Sequence, residues 1–321
     1  MEHHPINSLE LAMAITKNAS KQTYYTIRFF VDRDLISDAY RAYGYFRWVD
    51  DVIDEDVAAG VVLSEEETAE KMAFVNRQQD ILEACYRGEI PGDLCPEEQI
   101  LVDLVHNDSK EYSGLQTYLR SMMDLMIFDA QRRNRVVSEL ELTEYTRHLA
   151  VAVTEAMHYF IGHNDPSPRV EDRYAAVTAA HITHMLRDAV EDSQAGYYNI
   201  PGNYLQKHRL SPQDVESPGY RKWVCKRVPL ARDYFRLGCK SLAQIKNFRC
   251  RLAGFAYTAR FEWMLRTIER ENYCLRLEYR QRKSLRAGLW MVGSTLVSFL
   301  MSSRMKRSSH RLMPQPVSVE E

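Results

Sequence analysis

The chain has 321 residues, 45% of them hydrophobic and 27% charged, and a formal net charge of −2, values ordinary for a soluble globular protein. Its six cysteines form no Cys-x-x-Cys pair, which argues against zinc frameworks and disulfides and for reduced thiols in a cytoplasmic compartment. Neither a cationic segment followed by an apolar run nor a nucleic-acid-binding signature occurs, so no signal peptide and no nucleic-acid partner are expected.

Apolar residues recur with helical rather than alternating period, and prolines such as Pro91, Pro96, Pro201, Pro212 and Pro218 punctuate the pattern. Helices are predicted over roughly 8–31, 34–59, 65–88, 96–108, 113–134, 139–163, 169–195, 219–253 and 255–284. Without a linker or a fixed-period repeat, they imply one all-α domain over 1–301, a large helical bundle with a central cavity, followed by a disordered tail at 302–321. The uncharged stretch 287–303 precedes the basic run RMKRSSHR. It suits either a final helix packed on the body or an interfacial helix in peripheral contact with anionic lipid.

The predicted helix 34–59 carries YGYFRWVDDVIDED, with Asp50, Asp51, Asp54, Glu55 and Asp56 crowded together and no base after them until Lys71. Tyr43, Arg47, Asp50, Asp51 and Asp54 fall on one helical stripe. Carboxylates a turn apart suit Mg²⁺, which takes oxygen ligands and completes its shell with water and substrate phosphates. In helix 139–163, Glu155 and His158 have the Glu-x-x-His spacing of di-iron bundles, but no second copy exists, so Glu155 reads as a buried acid paired with an arginine. Helix 169–195 carries a second acid set, Arg187, Asp188, Glu191 and Asp192, with His181, His184, Asp188 and Asp192 on one stripe. The two histidines can donate to diphosphate or metal-bound water, ligate a softer metal, or serve as structural contacts. Two acid-striped helices can hold Mg²⁺ between them and grip a diphosphate that departs as an allylic cation forms. The apolar remainder of the bundle would house a hydrocarbon tail.

The segments TYY…AYRAYGYFRWVDDVID and LRDAVEDSQAGYYNIP resemble the two aspartate-rich motifs of the squalene/phytoene synthase family, and the likeness extends over most of the chain. The resemblance implies an all-α enzyme that joins two prenyl diphosphates, farnesyl or geranylgeranyl, head to head through a cyclopropyl intermediate. It implies metal binding by Asp50, Asp51, Asp54, Asp188 and Asp192, and support of the second cluster by Glu191. Diphosphate contacts fall to Arg47, Arg187 and Lys21, and the substrate-site lining to Tyr43, Thr23 and Tyr24. The chain departs from the family pattern where His181 and His184 replace the usual Gln and Asn, and where Arg147 and Thr154 stand at an expected tyrosine and glycine. In the stretch from Gly196 to Pro201 the expected basic residue and tyrosine are displaced. Two rival readings follow: a degenerate member acting as a binding or assembly factor, and a terpene cyclase-like diphosphate lyase. NADPH use and oligomeric state stay open.

Overall fold

Side-chain caps set many of the helix boundaries in this computed structural model, which describes residues 7–54, 64–89, 92–108, 110–162, 171–280 and 284–311, with side chains through Ser302. Asn7 accepts from the Leu9 N–H at the start of α1 (Ser8–Ala19). Ser20 then takes an extended conformation and its Oγ accepts from the Thr23 N–H at 3.1 Å, opening α2 (Lys21–Phe30). The helix expected over 8–31 is therefore two helices, because a capping serine interrupts a periodicity that otherwise runs straight through. The first acid motif occupies α3 (Ile36–Asp54), whose C-terminal carbonyl at Ile53 accepts from Lys71. Lys71 lies on α4 (Glu65–Tyr86), which opens with a Ser64–Glu67 capping box. Glu55 and Asp56 lie outside the described residues.

Next come α5 (Pro96–His106), α6 (Gly114–Arg132) and α7 (Glu139–Phe160), the last opened by a Ser138–Glu141 capping box. The second acid motif lies on α8 (Glu171–Ala195). A short α9 (Gly202–His208), absent from the predicted set, follows, then α10 (Pro218–Gln244) and α11 (Phe248–Arg270). Asn247 starts α11 by accepting from the Cys250 N–H, which divides the segment expected over 219–253. Positive φ at Asn272 and Tyr273 ends α11 well before 284. The final helix, α12 (Leu285–Arg311), contains the expected boundary at 302; residues 312–321 lie outside those described.

All regular structure among the described residues is helical. The buried core forms two large clusters. One joins α1, α3, α4, α5, α6 and α7 around Tyr40, Tyr45, Leu82, Leu101 and Leu119. The other joins α8, α10 and α11 around Ala179, Phe235 and Leu265. At the contact of α8 with α10, Gly238 abuts the Ala176 backbone so closely that any β-carbon would overlap it. This packing fixes the direction of the α8 acid stripe.

Candidate active site

The end of α3, the last turn of α6, the second half of α8 and the turn 196–201 together form a polar cluster. Its two outer members are acids from the predicted motifs. Asp54 Oδ1 accepts from the Tyr197 hydroxyl at 2.7 Å, and Asp192 Oδ2 accepts from Asn199 Nδ2 at 2.6 Å. Arg132 joins them: its Nη1 donates to Asn199 Oδ1 at 3.0 Å, and its guanidinium lies 5.0 Å from the Tyr197 ring centre. It also donates from Nε to Asp129 Oδ1 at 2.6 Å and sits 4.5 Å from the Tyr145 ring centre, while the Tyr145 hydroxyl donates to Asp129 Oδ2 at 3.1 Å. Both acid motifs are thus tied to one Asp129–Arg132 pair, its arginine buried and its acid largely so.

The turn that presents Tyr197 and Asn199 depends on glycine. Gly196 has φ +89°, and a β-carbon there would overlap Asn134 Oδ1, whose own backbone N–H donates to the Gly196 carbonyl at 2.8 Å.

The carboxylates differ sharply in their electrostatics. Burial, with the Asp54 charge adding to it, pushes Asp50 up to about 7 despite Arg47. Burial and the Asp188 charge likewise push Asp192 up to about 7, against Arg132 and Asn199. Asp129 is also raised, chiefly by burial, with Arg132 opposing. Asp188 goes the other way: burial works to raise it, but Arg187 (two bonds at 2.5 Å) and His184 (2.8 Å) hold it well below the usual carboxylate range. Arg47 bonds Asp50 at 3.0 Å and also Asp51, so on both motifs an arginine now lies on the acids.

Among the described residues no three His, Cys, Asp or Glu side chains enclose a metal position. The donor chemistry nonetheless fits Mg²⁺: these are hard oxygen ligands, and Asp50 and Asp192 are partly buried carboxylates crowded by like charge. Asp50, Asp51, Asp54, Asp188 and Asp192 would hold it.

An apolar cavity of about 590 Å³ lies between α2, α7, α8, α10, α11 and α12, with Thr23, Met157, Val177, Leu242 and Phe261 in its wall. Arg187 lines this cavity and also a polar pocket of about 550 Å³ that it shares with Asp188, Glu191 and Tyr279. Asp50, Asp51 and Asp54 line neither; the first motif meets the second through the Tyr197–Arg132–Asn199 chain.

The remaining sequence-derived positions divide. Thr23 faces the cavity and donates to Ser20 Oγ at 2.9 Å. Lys21 is exposed at the start of α2, and Tyr24 packs on Tyr40 with ring centres 5.1 Å apart. Tyr43 is half-buried against the core, one turn before Arg47. His184 bonds Asp188, whereas His181 is buried 5.2 Å from the Tyr145 ring, with neither nitrogen partnered, and burial drives its pKa well below the ordinary value. Arg147 pairs with Glu144 at 2.8 Å on the outer face of α7. The tyrosine of this segment that enters the site is Tyr145. Glu155 is the buried acid the sequence suggested, bound to Arg173 at 3.0 Å and to the Tyr174 hydroxyl at 3.1 Å. Asp129, Arg132 and Tyr145 were not among the sequence-derived site residues. The only local signal for the first two is an Asp and an Arg three apart at the end of α6, a spacing common on solvated helices.

These features define an all-α isoprenoid synthase fold with paired acid helices beside an apolar chamber. The squalene/phytoene synthase family profile matches residues 16–287, and the chain belongs to that family. Among solved structures, squalene synthase HpnC from Alicyclobacillus acidocaldarius is similar with a TM-score of 0.64 at 19% identity, covering 84% of this chain and 95% of that one. A dehydrosqualene synthase in complex with ligand gives a TM-score of 0.63 at 15% identity, covering 94% and 97%. No curated protein sequence matches the chain.

Proposed function

We propose that the chain is a Mg²⁺-dependent prenyltransferase that condenses two farnesyl or geranylgeranyl diphosphates head to head in isoprenoid biosynthesis. The observation that carries this reading is the linkage of both acid motifs through Tyr197, Arg132 and Asn199, next to an apolar cavity that shares Arg187 with the second motif. Membership of the family supports the substrate class. Bound at the five aspartates, Mg²⁺ would supply positive charge to a departing diphosphate. Arg47 and Arg187 lie beside those acids, where they can bind phosphate oxygens. Arg132, fixed by Asp129, holds Asn199 and packs on the Tyr145 and Tyr197 rings, which keeps the 196–201 turn in place beside the second motif. The cavity holds the hydrocarbon chain and keeps water from the cation left when the diphosphate departs at its Arg187 end. Substrates with such chains, and the apolar face of α12, support a peripheral seat on a membrane.

The test is diphosphate release from farnesyl and geranylgeranyl diphosphate with and without Mg²⁺, with mass spectrometry of organic extracts, comparing the native chain with an Asp50→Asn, Asp188→Asn variant of checked thermal stability. A Mg²⁺-dependent product with twice the substrate's carbon skeleton, lost in the variant, is expected. A hydrocarbon of unchanged carbon number would establish the cyclase-like reading instead. Binding without turnover would make the chain a binding factor.

A further inference from the structure

A second basic site lies away from the acid motifs. A groove of about 620 Å³ between α10, α11 and α12 is lined by Arg232, Arg236, Arg266, Arg270 and Arg286, against Glu262 and Glu269. Two of these arginines are engaged by acids: Arg232 bonds Glu269 at 2.5 Å, and Arg236 pairs with Asp233. None of the other three forms an ion pair among the described residues, although the Arg266 charge acts on Glu262 and Arg270 donates to the Arg266 carbonyl and the Thr267 hydroxyl. Arg266 lies 4.7 Å from the Trp290 ring centre, Arg270 lies 5.1 Å from that of Trp263, and Arg286 is exposed. Trp263, only 7% exposed, also lines the groove, and its indole N–H finds no acceptor. Arginines stacked on tryptophans, with an unused buried donor beside them, make a site for an anion with several oxygens, and phosphate fits.

What lies next to the groove decides the source of that phosphate. Arg286 and Trp290 belong to α12. One face of α12 packs on the body through Ala287, Thr295 and Ser302. Its opposite face leaves Leu285, Leu289, Val292, Leu296 and Leu300 more than half exposed, in a continuous stripe. Fixed cations at one end of an exposed apolar helix are what an anionic bilayer meets with its headgroups and its acyl boundary at once. Met291 of the same helix lines the apolar cavity, so a chain seated this way holds its chamber against the lipid.

We infer that the arginine–tryptophan groove binds the phosphate of an anionic lipid while the leucine stripe of α12 lies in the bilayer interface. This rests on the peripheral seating proposed above and adds a headgroup site to it. The test is co-sedimentation of the full chain with phosphatidylcholine vesicles, with and without phosphatidylglycerol. It compares the native chain with an Arg266→Gln, Arg286→Gln groove variant and a Leu289→Gln, Leu296→Gln stripe variant.

Binding that depends on phosphatidylglycerol is expected. It should weaken about twenty-five-fold in the groove variant, from about five-fold per arginine, and be lost in the stripe variant. Diphosphate release by the groove variant without vesicles should stay unchanged. Lipid binding unaltered in the groove variant would overturn the headgroup site and leave the seating intact. No binding to either vesicle would remove both. Tryptophan emission read alongside adds a further arm: a change that inorganic phosphate alone produces and saturates would make the groove a soluble-anion site and overturn the lipid assignment. Lipid-independent dimers abolished by the stripe variant would assign that face to a second copy of the chain.

Discussion

Arg132 holds more of the site together than any member of the acid motifs. It neutralises buried Asp129, fixes Asn199 on Asp192, and lies between the Tyr145 and Tyr197 rings. Replacing it with Met leaves Asp129 buried without its cation, and urea unfolding should show a loss of about 3–5 kcal/mol. Adding Asp129→Asn should recover part of that loss, since the two substitutions are coupled. The acid motifs themselves were legible in the sequence because carboxylates at helical spacing make a stripe before any tertiary fold is known. Arg132 was not: in DAQRRNR it looks like a solvated helix end, and only tertiary packing turns it toward the 196–201 turn. The same holds for Tyr145, two positions before Arg147: a tyrosine on an amphipathic helix reads as core packing until the acid that accepts from its hydroxyl is known.

At the scale of elements, the turn after α8 does the positioning, and its geometry rests on Gly196. An alanine there meets both a positive φ and the Asn134 side chain. Gly196→Ala is expected to cost about 2 kcal/mol in thermal unfolding and to lower diphosphate release, because Tyr197 and Asn199 move with the backbone. Gly288→Ala on α12, where a β-carbon meets nothing, serves as the control and should be neutral or slightly stabilising. The helical class of the chain was legible from periodicity. The breaks at Ser20 and Asn247 were not, because a capping residue inside an amphipathic run changes the backbone without disturbing the hydrophobic pattern. Short α9 carried too few turns to show a period at all.

Across the whole molecule, α3, α4 and α5 are joined by a polar knot in the core. Glu98 accepts from Arg77 at 2.7 and 2.9 Å, from Gln78 at 3.0 Å and from the Cys95 N–H at 3.0 Å, while Gln78 accepts from the Tyr45 hydroxyl at 3.0 Å. Burial raises the Glu98 carboxyl, but these donors outweigh it and push it down to about 2. Because the folded value is depressed, the stabilisation is present above the ordinary carboxyl value of 4.5 and drains away as pH falls toward 2. Melting curves across that window should therefore show stability falling with acid. Glu98→Gln should cost about 2 kcal/mol near neutrality and flatten the Glu98 contribution to that slope.

Arg187 stands at a threshold of another kind, since its side chain is a wall of both the apolar chamber and the polar pocket, and Asp188 holds it by two bonds. Any anion that competes with Asp188 for this arginine loosens the partition on both sides at once. An amphiphile's anionic end, by engaging the arginine, would thereby shift the wall that stands between it and the room for its own tail.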